Sequence, residues 1–386
     1  MKNTQLRNGL KILLNTTENK TAVCIFNGDM SRGGGTEHIT QILANLLAED
    51  GKYIVWVLNC SNRSGKSYYP LDSRVNFAVL ADGGVLKKAV SLLRFVKKNG
   101  IKVLINVDVM LGIFSLPAAF FHPSLKVIAW EMFNLRNDIG SRRTKSVRRL
   151  SLRKCAYYIT QTKGDMEAFL SEMPVKCPIT YIYNPCDEPA DSGKYDADSK
   201  TIITAGHFFF TKGYDLAVDT ARYVFSLHPD WRWEFYGDGD RFEETQKTVA
   251  EAGLCDNVVF CGRTVCMDQV YEKAAMYVMT SRTEGFGLVL TEAKSHRLPT
   301  LSFDIDFGPR EIIEDGVSGY LVPCFDTEKM AERICTLIED RDMRIRFSER
   351  AGDNLWKFSR REFLQSWEKV LSDITQHKPT CRRKKS

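Results

Sequence analysis

The sequence predicts an α/β protein with two doubly wound, Rossmann-like domains. Short apolar runs alternate with amphipathic helical patterns along the whole chain, which is typical of parallel sheets covered by helices on both faces. The 386 residues exceed the size of one ordinary domain. A polar stretch with few large apolar residues follows Asn184-Pro185, and we interpret it as a linker.

Composition excludes several other classes of protein. The chain is 44% hydrophobic and 26% charged, as expected for a well-packed folded protein. The 11 cysteines are odd in number and scattered, which argues against a disulfide framework or a structural zinc site. Because neither a signal peptide nor a long apolar run is recognisable, we expect a cytoplasmic protein. The net charge of +6 suits phosphates, an anionic membrane or nucleic acid, but no nucleic-acid module is recognisable and no such partner is expected.

The predicted elements follow in order. In the first half, apolar runs predict buried parallel strands over residues 21–26, 52–59, 101–107, 125–130 and 156–160. The spacing of isoleucine and leucine predicts a helix over 36–50. In the second half, strands are predicted over 201–206, 231–237, 257–262, 276–281 and 299–304, with helices over 212–227 and 342–357. Trp231 and Trp233 alternate along one strand, which indicates packing in the core or over an edge.

These elements give four predicted regions. Residues 1–184 form an N-terminal Rossmann-like domain, and residues 185–357 form a C-terminal Rossmann-like domain. Residues 358–376 form a terminal helix, and the basic tail 377–386 is expected to be disordered.

The segment after strand 276–281 is the best candidate for a ligand site. Gly285 and Gly287 allow close approach of the backbone, and a helix begins near Leu288. Free N–H groups at a helix start favour an anion such as a diphosphate. Glu284 and Glu292 flank this turn, and carboxylates accept two hydrogen bonds from vicinal hydroxyls, so one could bind a sugar and the other a ribose. The alternative is that both are ordinary surface charges.

The chain resembles glycosyltransferase family 4 (group 1), the retaining group with the GT-B fold. The resemblance covers nearly the whole chain and is strongest over 201–323. It rests on the matching motifs Glu284…Glu292, Gly285-Phe286-Gly287, Gly308-Pro309 with Glu311-Ile312-Ile313, and Asp315-Gly316…Gly319. It implies two domains facing an interdomain cleft, with the acceptor bound by residues 1–184 and the nucleotide-sugar by residues 185–357, and a terminal helix over 358–376 that crosses back to the first domain. It further implies retention at the anomeric carbon and no metal. It also implies that Glu284 contacts the donor sugar, the Phe286 and Gly287 amides contact the diphosphate and sugar, and Glu292 contacts the ribose.

The resemblance extends the donor site to the strand–loop–helix at 205–221. There Lys212 is implied to place a point charge on the diphosphate. We expect Lys212 and the amides from Gly285 to Leu288 to act in catalysis by stabilising the leaving diphosphate. Glu284 is the second expected catalytic residue, through its contact with the donor sugar. His207 stands where the family usually has arginine, and it is only partly charged near neutral pH. Arg263 lies where the family contacts the base, with a surface charge as the alternative.

The residues expected on the acceptor side match the family pattern less completely than those of the donor site. Gly33, Gly34 and Gly35 resemble the family's glycine loop beside the acceptor. The family commonly carries a histidine after a Glu-type residue, but here Glu131 is followed by Met132, which cannot make the same polar contact. Either Glu131 or Asn134 replaces it, or activity is low. Separately, we interpret Asp304-Ile305-Asp306 as a loop, because a divalent metal needs more ligands than this motif supplies.

The sequence therefore predicts a retaining hexosyltransferase that uses a nucleotide-sugar, with a UDP-sugar favoured, and a glycan or lipid-linked acceptor. The expected setting is synthesis of a cell-surface capsule, exopolysaccharide or lipopolysaccharide. The basic segment 141–154 suits docking to the anionic inner face of the cytoplasmic membrane, with a solvated helix as the alternative. The competing function is a catalytically impaired nucleotide-sugar-binding protein, for which Met132 and His207 are the evidence.

Overall fold

A computed structural model describes residues 20–61, 64–137, 142–186 and 195–376. The chain divides into two compact units, one built from Met1–Ile182 and Leu364–Ser386 and the other from Tyr183–Phe363. The predicted tail 377–386 and most of the predicted linker, 187–194, lie outside the described residues.

The first unit is an α/β domain whose described strands form one parallel sheet. The strands are β1 (Thr21–Asn27), β2 (Tyr53–Asn59), β3 (Asn76–Val79), β4 (Val103–Val107), β5 (Lys126–Trp130), β6 (Tyr157–Thr160) and β7 (Ile179–Tyr181). Their order is β3-β2-β1-β4-β5-β6-β7. The helices are α1 (Gly35–Asp50), α2 (Val85–Lys98), α3 (Gly112–Phe120), α4 (Arg142–Lys154) and α5 (Lys163–Glu172), with a 3₁₀ turn at Val109–Leu111. All five predicted strands and the predicted first helix are confirmed.

The second unit repeats this architecture. Its strands are β8 (Thr201–Ala205), β9 (Arg232–Tyr236), β10 (Val258–Gly262), β11 (Met276–Met279), β12 (Thr300–Phe303) and β13 (Gly319–Val322). They pair in the order β10-β9-β8-β11-β12-β13, all parallel. The helices are α6 (Tyr214–Leu227), α7 (Phe242–Glu251), α8 (Met267–Glu272), α9 (Leu288–Ser295), α10 (Pro309–Ile312), α11 (Thr327–Glu339) and α12 (Arg341–Ala351), with 3₁₀ turns at Phe210–Lys212 and Leu355–Phe358.

Two predicted helices in the second unit are corrected in detail. The predicted helix 212–227 begins only at Tyr214, because Gly213 is left-handed and separates it from the preceding 3₁₀ turn. The predicted helix 342–357 ends at Ala351, and Asn354 has a left-handed backbone before the next 3₁₀ turn. Trp233 is fully buried in the core of this unit, as the alternation of tryptophans predicts.

The last helix, α13 (Arg360–Gln376), starts at the end of the second unit and returns to the first. Within the first unit, the rings of Trp367 and Trp130 meet edge to face with centroids 4.8 Å apart. Glu368 accepts a hydrogen bond from Lys52 at 2.5 Å. No helix in the described part of the chain is long and apolar enough to cross a bilayer.

Each sheet has one point where the strand order reverses direction. In the first unit the reversal lies between β1 and β4, and in the second between β8 and β11. In open parallel sheets, ligands bind beyond the carboxyl ends of the strands at such switch points. The fold therefore directs attention to the loops that follow these four strands.

Candidate functional site

The loops after β8 and β11 meet at the switch point of the second unit. Gly213 has a φ of +65°, and a Cβ at this position would lie 2.1 Å from the carbonyl oxygen of Thr280. The Arg282 amide donates to the carbonyl of Thr211 at 2.7 Å. Only glycine allows this approach, so the two loops are joined through their backbones.

Lys212 and Glu284 form the polar centre of this site. Lys212 Nζ donates to Glu284 Oε1 at 2.6 Å, and the Ser281 hydroxyl donates to the same oxygen at 2.6 Å. The side chain of Lys212 is 27% exposed and that of Glu284 10%, so both are held by the protein but remain reachable from solvent. The structure thus brings together two predicted residues that lie 72 positions apart in the sequence.

Arg282 fixes the geometry of both loops. Its guanidinium donates to the two carboxylate oxygens of Asp215 at 2.7 and 2.6 Å, and to the carbonyl of Phe210 at 3.0 Å. It also lies 4.1 Å from the centre of the Phe210 ring. Burial raises the pKa of Asp215, but the hydrogen bonds and charge of Arg282 outweigh it and leave the pKa below its ordinary value. This pair could not be identified from the sequence, since neither residue belongs to the glycine-turn motif.

The glycine turn presents backbone to a ligand. Gly287 caps α9 with a φ of +96°, and no side chain caps the first turn of this helix. The Phe286 ring is buried against the rings of Tyr183 and Phe358. Phe286 therefore anchors the turn with its ring, in accord with the predicted role of its amide. A Cβ at Gly308 would lie 2.2 Å from the Phe286 carbonyl oxygen, which explains the glycine of the second motif.

Glu292 lies one turn further along α9. Its Oε2 accepts a hydrogen bond from the hydroxyl of Tyr271 at 3.0 Å. Burial raises the pKa of Tyr271 well above its ordinary value, so this hydroxyl stays protonated and orients the carboxylate. Tyr271 is a further site residue that the sequence analysis missed.

His207 and Arg263 are linked through Asp238. His207 Nδ1 lies 3.4 Å from one oxygen of Asp238, and Arg263 Nη1 lies 3.7 Å from the other. All three side chains are about half exposed, so these contacts are weak and exchangeable. Asp238 follows β9 between Gly237 and Gly239, and a Cβ at Gly237 would lie 1.9 Å from the Gly206 carbonyl oxygen. This glycine pair is the signal that could have identified the loop.

In the first unit, the predicted glycine loop leads into α1. Gly34 is the N-cap, and a Cβ there would lie 2.7 Å from Glu37 Oε2. Glu37 is buried, and its other carboxylate oxygen accepts from Arg32 at 3.0 Å. A carboxylate of the protein thus already lies at the positive end of α1. The acceptor role of Gly33, Gly34 and Gly35 stays a prediction.

The other predicted acceptor residues are held inside the first unit. Glu131 is fully buried and accepts from Arg148 Nε at 2.9 Å and from the Tyr158 hydroxyl at 2.7 Å. Asn134 is also buried, and its side-chain oxygen accepts from the Asn137 amide at 2.6 Å. Met132 is buried, and its sulfur accepts from Gln161 Nε2 at 3.4 Å. These buried hydrogen bonds of Glu131 and Asn134 stabilise the first unit, and the role of both residues toward an acceptor stays a prediction.

The predicted basic helix is α4, with residue 141 outside the described part of the chain. Arg148 and Leu152 are buried and Val147 is partly buried, whereas Leu150 is 45% exposed, so only part of the apolar stripe packs inward. Six cations are exposed on the other side: Arg142, Arg143, Lys145, Arg149, Arg153 and Lys154.

Asp304 accepts hydrogen bonds from the guanidinium of Arg310 at both carboxylate oxygens. Within the described ranges, no group of three or more His, Cys, Asp or Glu side chains is arranged to hold a metal ion.

Comparison with known proteins agrees with this geometry. Residues 187–353 match the family model for glycosyl transferases group 1. An uncharacterized glycosyltransferase of Haemophilus influenzae is 26% identical over 351 residues, covering 89% of this chain and 98% of that protein. The amylovoran biosynthesis glycosyltransferase AmsD of Erwinia amylovora is 23% identical over 355 residues, covering 89% and 97%.

Solved structures show the same fold. Anabaena HepE, in complex with UDP and glucose, matches with a TM-score of 0.76 at 18% identity, covering 91% of this chain and 99% of HepE. Staphylococcus aureus TarM, in a complex that contains UDP, matches with a TM-score of 0.75 at 15% identity, covering 91% and 99%. The predicted GT-B fold is therefore confirmed.

Proposed function

Because this chain is a glycosyltransferase of the group 1 family, we propose that it transfers a hexosyl group with retention from a UDP-sugar to a glycan or lipid-linked acceptor. The observation that carries the proposal is the Lys212–Glu284 pair at the switch point of the second unit, beside the uncapped start of α9. UDP in the structures of HepE and TarM supports the choice of base.

Different residues of the site bind different parts of the donor. Lys212 and the amides from Gly285 to Leu288 bind the diphosphate. The bond from the anomeric carbon to the diphosphate oxygen breaks while the oxygen of the acceptor hydroxyl forms the new bond, and the proton of that hydroxyl passes to the leaving diphosphate. Negative charge then grows on the leaving diphosphate, where a lysine and a helix N-terminus stabilise it most.

The carboxylates and the polar loop after β9 provide recognition. Glu284 accepts hydrogen bonds from hydroxyls of the donor sugar, and Glu292, held by Tyr271, accepts from the ribose diol. Arg263 is assigned to the base, and His207, which is linked to Arg263 through Asp238, is assigned to the diphosphate together with Lys212. The first unit, with its glycine loop, binds the acceptor, as the predicted domain organisation has it.

The setting we propose is synthesis of a cell-surface polysaccharide at the inner face of the cytoplasmic membrane. The relationship to AmsD, which takes part in amylovoran biosynthesis, supports this class of product. The six exposed cations of α4 support contact with anionic lipid, near which lipid-linked acceptors would lie.

The donor assignment is tested by two measurements on the wild-type protein and two variants. Calorimetric titration of UDP-glucose, GDP-mannose and ADP-glucose gives the donor affinity, and a turnover assay with UDP-glucose gives kcat. We expect UDP-glucose to bind, Lys212→Ala to lower kcat by about 10²–10³-fold, and Glu292→Gln to weaken donor binding by about tenfold. Lys247→Ala is the matched control, because Lys247 is a 78% exposed lysine of the same unit. Unchanged donor affinity and turnover in both variants would contradict the assignment.

The same experiment separates the competing function. If UDP-glucose binds and the substitutions weaken that binding, but the wild type neither transfers nor hydrolyses the sugar, the chain is a nucleotide-sugar-binding protein that has lost catalysis.

A further inference from the structure

Asp108 lies at the switch point of the first unit, directly beyond β4. The Asp108 amide donates to the Trp130 carbonyl at 3.1 Å, which places it beside the end of β5. On the other side β4 pairs with β1, with Phe26 opposite Asn106. This is the crevice position where parallel sheets bind ligands, and Asp108 belongs to none of the motifs discussed above.

The backbone of Asp108 is strained. Its φ is +85° and its ψ is 125°, a conformation that residues with a Cβ rarely adopt. The side chain accepts a hydrogen bond from the Met110 amide at 2.8 Å and so begins the 3₁₀ turn. Strain of this kind persists where the surrounding structure holds a residue in place, and it is concentrated at functional sites.

The electrostatic environment of Asp108 does not favour its charge. Burial is the main cause that raises the pKa of Asp108 to about 6, with a smaller contribution from the neighbouring carboxylate of Glu131. The hydrogen bond from the Met110 amide and the charges of Arg148 and Arg32 lower the pKa and offset this only in part. Since Arg148 and Tyr158 already bind Glu131, that carboxylate is committed to the fold. Asp108 is half-buried and costs stability when ionised, which is unusual for a purely structural residue.

Met132 provides no strong hydrogen-bonding group at the carboxyl edge of the first sheet. Its thioether is buried against Gln161, so the position beyond β5 presents no strong hydrogen-bonding group. Asp108, one strand away, is a partly exposed carboxylate residue at the same edge of the sheet.

We propose that Asp108 is the acceptor-binding carboxylate of the first unit, accepting a hydrogen bond from a sugar hydroxyl of the acceptor where Met132 cannot. This inference rests on the proposed function and deepens it. The carboxylate orients the acceptor hydroxyl.

The test compares Asp108→Asn with the wild type. Asparagine keeps a side-chain oxygen for the Met110 amide and tolerates a positive φ, but it loses the charge. Radiolabelled UDP-glucose is supplied with octyl hexosides and with a lipid extract of the source cells as acceptors. Hydrolysis of UDP-glucose in the absence of acceptor is measured in parallel. Asp82→Asn, an exposed aspartate of the same unit, is the matched control.

We expect Asp108→Asn to lower kcat/KM for the acceptor by at least tenfold, with the Kd for UDP-glucose and the rate of hydrolysis within twofold of wild type. Its Tm at pH 7 should equal or exceed that of the wild type, because the buried charge is removed. In the wild type, the acceptor KM should rise as the pH falls through about 6, and this dependence should be lost in the variant.

The outcomes are separable. Equal transfer by Asp108→Asn and wild type would overturn this inference and leave the proposed function intact. A fall in Tm together with a parallel loss of transfer and hydrolysis would also overturn it, because that pattern indicates a structural role. If the wild type binds UDP-glucose but transfers to no acceptor, the transfer step of the proposed function fails, and this inference fails with it.

Discussion

Lys294 shows how much a single residue can oppose folding. It is buried in α9, where its Nζ donates to the Ser318 hydroxyl at 2.7 Å. Burial lowers its pKa from 10.5 to about 8, and the charges of Glu314 and Asp353 offset this only in part. At neutral pH the ammonium group of Lys294 is therefore charged and buried in the folded chain, whereas in the unfolded chain the same charge is hydrated.

Replacing this lysine should stabilise the protein. We expect Lys294→Met to raise the free energy of unfolding at pH 7 by about 1–3 kcal/mol, because the buried charge is removed and the volume is kept. Between pH 8 and 10.5 the unfolded chain binds more protons at this position, so wild-type stability should rise with pH there and the gain from the variant should shrink. Urea unfolding at pH 7, 8, 9 and 10 measures both effects.

The exposed Lys247→Met is the control for the loss of one lysine, since no buried charge is removed there. A Lys294→Met variant less stable than wild type at pH 7 would show that the hydrogen bond to Ser318 outweighs the cost of burial.

Site residues could be predicted from the sequence where they belong to a recognisable motif. The sequence predicts that Lys212 and Glu284 contact one ligand, and the structure brings the two side chains into contact. Asp238 and Asp108 could not be predicted, because their roles depend on neighbours across strands and, for Asp108, on a backbone angle. A lone aspartate after an apolar strand is too common to identify a site.

At the scale of elements, the central strands and one edge strand, β10, could be predicted, and the three other edge strands could not. β3 and β7 lie at the edges of the first sheet, are short and are at least partly exposed, so they lack the apolar run of a buried strand. β13 is an edge strand that begins at Gly319, directly after a turn, and that turn masked it. Edge strands have neighbours on one side only, and sequence patterns report them weakly.

Helix α4 has two faces with different roles. Its exposed face carries six cations, and the helix contains no acidic residue. Its inner face holds Arg148 against Glu131 and packs on α3, where Gly112 leaves room for Val147. Phe120 and Phe121, at the end of α3, are also exposed, at 78% and 67%. Exposed cations and exposed aromatic rings are both typical of surfaces that dock on anionic lipid.

Charge reversal on the outer face should weaken membrane contact. Each cation near an anionic surface contributes about 1 kcal/mol, so we expect Arg149→Glu with Arg153→Glu to lower the partition coefficient on phosphatidylglycerol vesicles by at least tenfold. Vesicle sedimentation at low salt, repeated at high salt to screen the interaction, is the measurement.

The matched control for α4 is Arg222→Glu with Lys247→Glu, which makes the same change of charge on the second unit. Equal loss of binding in both double variants would indicate a general effect of net charge and contradict a specific role for α4.

At the scale of the whole molecule, the chain returns to the unit in which it began. Trp367, Val370 and Leu371 of α13 are buried, and the first unit contains the helix from Leu364 onward. The core of the first unit is therefore completed only by the last residues that the structure describes.

Truncating Trp367 should destabilise one unit selectively. We expect Trp367→Ala to lower the free energy of unfolding of the first unit by about 3–5 kcal/mol, because it removes the buried ring against Trp130. Hydrogen exchange should show lost protection in α13 and β5, with little change in the second unit. Trp356→Ala, at a 63% exposed tryptophan of the second unit, is the control. Uniform loss of protection in both units would contradict this division.

The short bond between Lys212 and Glu284 bears on the end of the catalytic cycle as well as its beginning. An incoming molecule must replace both partners at once, offering an anion to the lysine and hydroxyl donors to the glutamate. Inorganic phosphate offers an anion to Lys212 but no set of hydroxyl donors to Glu284, so it should compete poorly with the donor. Once the hexose has left, the remaining nucleoside diphosphate no longer satisfies Glu284, and the re-formed ion pair helps to expel the spent nucleotide.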